Sequence, residues 1–462
     1  MAGIGFELKK LFNKKGYFYS SRAYIYSTIV SAAPLILCTL MVTFIQLLLT
    51  FIKVPFMEGQ LFLASVVYAF IFSQIITSGF TMVITRYISD RLFSKEYDYI
   101  LSSLYGVLTL TLAVGALIGG VFYYISPIEI NIKIASYVLY MELIMLWVEF
   151  VYLSALKDYT KVAKAFFIGV AVTMMLAFLF IKINTLNIVL YMLLAMDIGI
   201  FITVIMLLYY IEKFFNVENN KYFDFIRYFK RYPSLFLINL SYTLGIYIHN
   251  IIFWNSKLGV SIYNTYRYAP LYDVAVFYAF LSGIPSIVTF VVSVETSFYD
   301  KYKMYYGFIT NGGNFRDIQR AKNDMTNTLW REILHIMQIQ LVFTILFLLL
   351  GKIILPRFGV IGISLDMFNI LVIGVYCNMM MLVFVLLQLY FDDRKGALMV
   401  TSIFILSNII LTICTLFLGT NYYGFGFFGA AFISATIGFL RLSLFMRDID
   451  YHTFCSQPVI SK

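Results

Sequence analysis

Long apolar runs, broken by short charged clusters, repeat along the whole 462-residue chain. Most of these runs reach the roughly 20 residues that a helix needs to cross the hydrocarbon of a bilayer. They predict twelve transmembrane helices, at 24–52, 61–85, 99–126, 134–156, 165–182 and 188–211, then at 233–255, 272–296, 332–351, 367–391, 397–418 and 427–446. The longest polar break in the first 296 residues covers 212–232 and leaves six helices on each side. The expected fold class is therefore an all-α integral membrane protein with two six-helix lobes. In this division 1–23 is a cytoplasmic interfacial segment, 24–211 the first lobe, 212–232 a linker, 233–446 the second lobe and 447–462 a tail. No residue-level repeat relates the halves, so their symmetry rests on helix count alone.

Composition removes the main alternative, because 61% of the residues are hydrophobic and only 13% charged, which no water-soluble domain can accommodate. The formal charge of +10 reads as cytoplasmic loops before it reads as nucleic-acid binding. With the N-terminus inside, 27 of the 34 Lys and Arg residues fall on cytoplasmic segments and 7 on the opposite face. That bias fits twelve crossings with both termini in the cytoplasm of a multi-pass cell-membrane protein better than it fits any odd count. Ile4, Leu8, Leu11 and Phe12 share one face of a short N-terminal helix flanked by Lys9, Lys10, Lys14 and Lys15, as expected for a segment lying on the inner leaflet. No cleavable signal is visible, so the first span serves as its own insertion signal. Cys38, Cys377, Cys414 and Cys455 have no paired spacing, which gives neither a disulfide framework nor a zinc site. The outward loops are short, the longest being 256–271 and 352–366, and leave little room for the machinery of an external sugar-transferring enzyme.

Nucleotide and metal chemistry find no support. Gly351-Lys352 lacks the rest of a phosphate loop, and the glycines at 424, 426 and 429 match a dinucleotide fingerprint only formally, between two membrane spans. His249, His335 and His452 are too scattered to ligate a metal together. No catalytic residue and no cofactor are expected. Ionisable groups within the spans matter more, because each is costly in hydrocarbon unless it faces protein, water or a partner. Glu142 and Glu149, seven apart, stack on one helical face, where they either line a polar cavity or pair with a basic group on a neighbouring helix. Asp197 is similarly isolated. In the seventh span Asn239, Tyr242, Thr243, Gly245, His249 and Asn250 form a polar stripe, which fits either a cavity wall or interhelical hydrogen bonds. Tyr263, Tyr266, Arg267, Tyr268, Tyr272 and Asp273 combine rings and charges as a sugar-gripping surface does, although tyrosines are also expected at a membrane interface. Pro34, Gly283 and Pro285 permit bends, mobile or static. Within the cytoplasmic loop 297–331, Asn314 and Asp317 are expected to cap a helix running to about Met325, serving a partner or acting as a plain connector.

Six blocks resemble the PelG family, the membrane transporters of the Pel exopolysaccharide system within the multidrug/oligosaccharidyl-lipid/polysaccharide flippase superfamily. They are MAGIGFELKKLF at the start, ITRYISDRLF at 84–93, VETSFYDKYKMYYG at 294–307, NGGNFRDIQRAK at 311–322, YFDDRKGAL at 390–398 and YYGFGFFGA at 422–430. The resemblance implies two six-helix lobes around a central cavity through which a hexosamine-rich polysaccharide is exported. It also implies partners, a cytoplasmic glycosyltransferase and a membrane assembly responsive to cyclic di-GMP. Arg86, Asp90, Arg91, Glu295, Asp392, Asp393 and Arg394 lie in or beside these blocks on the predicted inner face, and look like gate or docking positions. The expected substrate path comprises Glu142, Glu149, Asp197, Asn239, Tyr242, His249, Asn250, Arg267 and Asp273, its acids suited to a cationic polymer. Alternatives of the same superfamily are a lipid-linked oligosaccharide flippase or a drug/cation antiporter. Those of another class are a membrane glycosyltransferase or polymerase, and a non-transporting scaffold.

Overall fold

The structure, a computed structural model, describes residues 36–156, 159–183, 187–217, 219–358 and 360–455. The interfacial segment 1–23, Pro34 and the tail beyond residue 455 lie outside the described residues. Among the described residues, 11 helices are long and apolar enough to cross a membrane. A further apolar helix, α1, is described over Ile36–Phe51, within the first predicted span. Helices suit this setting because each satisfies its own backbone hydrogen bonds where no water is available. The chain divides into two compact units, one ending at Pro270 and the other beginning at Leu271.

The first unit contains α2 (Phe56–Phe93), α3 (Asp98–Ile125), α4 (Ile130–Leu156), α5 (Tyr159–Ile183) and α6 (Ile188–Phe214). A short α7 (Ile226–Arg231), then α8 (Pro233–Trp254) and a hairpin of β1 (Val260–Ile262) and β2 (Tyr266–Tyr268) complete it. Helix α4 packs on α2 and α6, and its Leu139, Leu143 and Ile144 are fully buried, as are Met192, Leu193 and Met196 of α6. Leu117, Val121 and Tyr124 of α3 instead point outward, the arrangement expected of a helix whose outer face meets lipid. Helix α8 packs along α2, so the segment 212–232, read from the sequence as a linker, lies within this unit. Helices α5 and α6 approach closely through Gly169 and Gly199. A side chain on Gly199 would collide with the Thr173 hydroxyl and come within 2.6 Å of the Gly169 carbonyl.

The second unit contains α9 (Pro270–Leu281) and α10 (Ile284–Ser293), then a π-type turn (Val294–Phe298), α11 (Tyr299–Thr310) and α12 (Phe315–Ile354). After them come α13 (Ile363–Tyr390), α14 (Arg394–Leu418), α15 (Phe425–Arg447) and α16 (Ile449–Phe454). Helix α13 is its core, with Leu371, Val372, Val375 and Met381 fully buried, and packs on α15. The bend expected at Gly283 and Pro285 is present as the break between α9 and α10. Gln340 of α12 pins it, donating to the Ser282 carbonyl at 3.0 Å and accepting from the Ser286 hydroxyl at 2.6 Å. Backbone freed by the break is thus recaptured by a neighbouring helix. The helix expected to end near Met325 does not end there. Asn314 is its N-cap position, but with no Pro or Gly from 315 to 350, α12 runs 40 residues without interruption into the ninth span. Gly424, at φ 94, turns the chain into α15, so the glycines at 424, 426 and 429 start a membrane helix instead of forming a nucleotide loop.

The Gly169–Gly199 contact yields a test. Gly199→Val should separate α5 from α6 and cost about 1–3 kcal/mol or more, as overpacking does. Size-exclusion chromatography and thermal unfolding in detergent should show loss of monodisperse protein or a clearly lower melting temperature. Wild-type behaviour would contradict the close packing.

Candidate functional site

Helix α2 presents a row of small polar residues to its neighbours. Thr77, Ser78 and Thr81 each donate back to a carbonyl three or four residues earlier, at 2.8, 2.7 and 2.9 Å, which satisfies the hydroxyls within the helix. Neighbouring helices dock on this row. The Trp147 indole of α4 donates to the Ser73 hydroxyl at 2.9 Å, and the Asn239 amide of α8 donates to the Ser78 carbonyl at 2.7 Å and the Thr81 hydroxyl at 2.6 Å. One turn or two further on, the Tyr247 hydroxyl donates to Gln74. Asn239, predicted for the path, is therefore engaged in an interhelical hydrogen bond, while Gln74 and Tyr247 carry a contact that periodicity alone did not single out.

The three buried acids behave differently. Glu142 and Glu149 lie on α4, about 10 Å apart along the axis at 1.5 Å per residue, and Asp197 lies on α6. Their exposures are 7%, 0% and 5%. Among the described residues, Glu142 Oε2, both oxygens of Glu149 and Asp197 Oδ1 have no hydrogen-bond partner, and no basic side chain pairs with any of the three. A polar group buried this way is costly. His249 is fully buried and Asn250 nearly so in α8, with Tyr242 half-buried two turns before them. Arg267 is exposed on β2 and donates to Asn255 Oδ1 at 3.0 Å. Asp273, half-buried in the first turn of α9, belongs to the second unit, so the division of the chain falls between these sequence neighbours.

The residues of the predicted inner face form clasps at helix ends. Asp224, its side chain 4% exposed, takes Arg91 at 2.6 Å and also Arg227, while Arg91 reaches Glu96 as well. Arg86 pairs with Asp90 at 3.2 Å, and the Tyr228 hydroxyl donates to Asp90 at 3.1 Å. Burial, and next the Asp90 charge, hold that hydroxyl above the usual tyrosine range. In the second unit Asp393 accepts both Arg441 Nε at 2.8 Å and Nη2 at 2.9 Å, and caps α14 through the Gly396 amide at 3.1 Å. Asp392 adopts a left-handed backbone, φ 61, beside Arg394 at 3.2 Å. Glu295 falls within the π-type turn, its side chain outside the described set. Asp224 and Arg441 were not among the predicted site residues. Arg441 had left a signal, a lone basic residue near the end of an apolar run; its partner lies 48 residues away.

Residues 1–454 match the PelG family, described as “Putative exopolysaccharide Exporter (EPS-E)”. No curated protein matches the chain. Among solved structures, the fold is similar to an outward-facing multidrug resistance transporter of the MATE family in the MOP superfamily, at TM-score 0.66 and 12% identity, covering 97% of this chain and 99% of that one. A MOP superfamily transporter from Pyrococcus furiosus, described as having a binding pocket of reverse polarity, matches at TM-score 0.66 and 13% identity over the same shares. At such identities the likeness speaks for the fold alone.

Partnered and unpartnered acids should respond oppositely to removal. Glu149→Leu should leave thermal stability in detergent unchanged or raise it, since no interaction is lost with the carboxyl. Asp224→Ala should lower it, because Arg91 then loses its buried partner and keeps only the exposed Glu96. A marked loss of stability in Glu149→Leu would show that the acid has a structural partner.

Proposed function

The chain belongs to the PelG family, and on that premise we propose that its polysaccharide is conducted past the buried acids of the first unit. Family and fold together give a multi-pass membrane exporter of exopolysaccharide, a transporter and not an enzyme. The identity of the path is our reading, and one observation carries it. Glu142, Glu149 and Asp197 are buried carboxyls without a hydrogen-bonded or ionic partner for the atoms named above among the described residues. Intramembrane acids are tolerated where they pair, ligate or border water. In this reading the missing partner is the hydrated, amino-bearing polymer itself.

A cationic amino sugar about 4 Å from a carboxylate gains roughly 4 kcal/mol at an effective dielectric of 20, enough to draw the chain in. Spacing the acids about 10 Å apart on α4 lets a polymer exchange one contact for the next without being trapped. His249, Asn250 and Tyr242 supply further polar contacts, Asn239 fixes α8 against α2 at the margin, and Arg267 and Asp273 belong to the outer end. Arg86, Asp90, Arg91, Glu295, Asp392, Asp393 and Arg394 form the cytoplasmic face, where a glycosyltransferase and a cyclic di-GMP-responsive membrane assembly deliver the polymer. The concentration of basic residues on alternate loops supports that orientation.

Glu142→Gln and Glu149→Gln should each lower secreted polymer severalfold at equal levels of membrane-inserted protein, and the double variant more so. Unchanged secretion in all three would remove these acids from the path. Vesicles containing the purified chain should pass polymer when a glycosyltransferase makes it outside them, and should not exchange small organic cations. The reverse pattern would favour an antiporter.

A further inference from the structure

At the end of the first unit where α2 begins and α8 ends there is a cleft of about 380 Å³. It lies far from the Asp224 clasp: Tyr68, on its wall, and Arg91 are 23 residues apart on α2, about 35 Å along the helix. Its volume is within the range of small-ligand sites.

One wall is aromatic. Tyr68 stacks on Trp254, with centroids 4.9 Å apart and planes at 14°, and on Phe122 at 6.1 Å and 27°. Tyr266 meets the Tyr68 ring edge-on at 4.9 Å. The phenol is also fixed, since Tyr68 donates to the Arg267 carbonyl at 2.7 Å and accepts from the Arg267 amide at 2.9 Å. The lining also carries polar, exposed residues, Asn255, Ser261, Asn264 and Arg267, which form a rim with the guanidinium of Arg267 held by Asn255. The turn carrying the rim is strained: Tyr263 and Asn264 both adopt left-handed backbone, at φ 47 and 51, where glycine is the usual occupant. Pairing of Ser261 with Arg267 and of Ile262 with Tyr266 keeps it in place.

A cleft lined by both packed rings and amide, hydroxyl and guanidinium groups suits a pyranose, which has an apolar C–H face and a polar edge. An acyl chain would leave the rim unsatisfied. An anionic headgroup would find a single cation, Arg267, among the described lining residues. We propose that this cleft is a saccharide subsite that holds one or two sugar rings of the exported polymer. The proposal rests on the export reading and adds a site outside the buried acids.

The chain has three tryptophans, so Trp147→Phe with Trp330→Phe leaves Trp254 as the reporter in the full-length protein. Titration of the detergent-purified variant with a β-1,4-linked N-acetylglucosamine pentamer, and with its deacetylated form, should change Trp254 emission saturably for at least one of them. Calorimetry of the wild-type chain gives the same information if the reporter variant misfolds. Arg267→Ala and Asn264→Gly should weaken binding at least tenfold. Asn264→Gly removes the amide but accepts the left-handed backbone, so the turn survives. No saturable signal with either pentamer, full affinity in both variants, or a response to short-chain phosphatidylcholine alone would overturn the subsite. Polymer export measured on the same proteins keeps the two readings apart: export without binding removes only the cleft, whereas a wild-type chain that exports nothing removes the function.

Discussion

Hydrocarbon offers polar groups no water, and that constraint organises the whole molecule. Backbone groups meet it by forming helices, and where a helix breaks, as between α9 and α10, Gln340 takes over the exposed carbonyl. Side chains meet it pairwise: Trp147 with Ser73, Asn239 with Ser78 and Thr81, Tyr247 with Gln74. Other buried hydroxyls and amides also lack a partner, but Glu142, Glu149 and Asp197 are the acids among them: Glu142 Oε2, both oxygens of Glu149 and Asp197 Oδ1 have none among the described residues. Natural interiors retain few such groups, and they concentrate where function requires them.

Charge is treated differently at the helix ends. Asp224 and Asp393 are each nearly inaccessible, yet each is matched by arginine, in one unit by Arg91 and Arg227 and in the other by Arg441 with two parallel hydrogen bonds. A matched buried pair chiefly fixes geometry, since desolvation offsets much of its Coulombic gain. These clasps hold the end of α2 to the segment before α8, and the start of α14 to α15. The surfaces proposed to meet cytoplasmic partners are therefore built on fixed helix ends, which suits docking better than a loose loop would.

Most spans and their approximate limits, 11 of the twelve expected, were legible because apolar length is a property of the chain in one dimension. The buried acids were legible for the same reason, as charges inside apolar runs. Pairing was not legible. Nothing local tells Asn239 that its acceptors are Ser78 and Thr81, 161 and 158 residues earlier, or tells Glu149 that no partner faces it. The length of α12 was not legible: its polar first turns predict an end near Met325, but no Pro or Gly follows for many turns and the helix continues to Ile354. The rigid aromatic wall at Tyr68 was only half visible: the tyrosines around the hairpin drew attention, while Trp254 and Phe122 read as ordinary span residues. Function itself came through blocks of family resemblance and not from periodicity.

If the unpartnered acids border a hydrated route, positions 142 and 149 must be reachable from water in the working protein. The direct measurement is labelling of Glu142→Cys and Glu149→Cys by a membrane-impermeant cationic thiol reagent, in a chain whose four native cysteines are replaced, with and without polymer synthesis. The account predicts modification at both positions, slowed when polymer fills the route. Failure of both cysteines to react in either state, while a cysteine at exposed position 264 reacts readily, would contradict it.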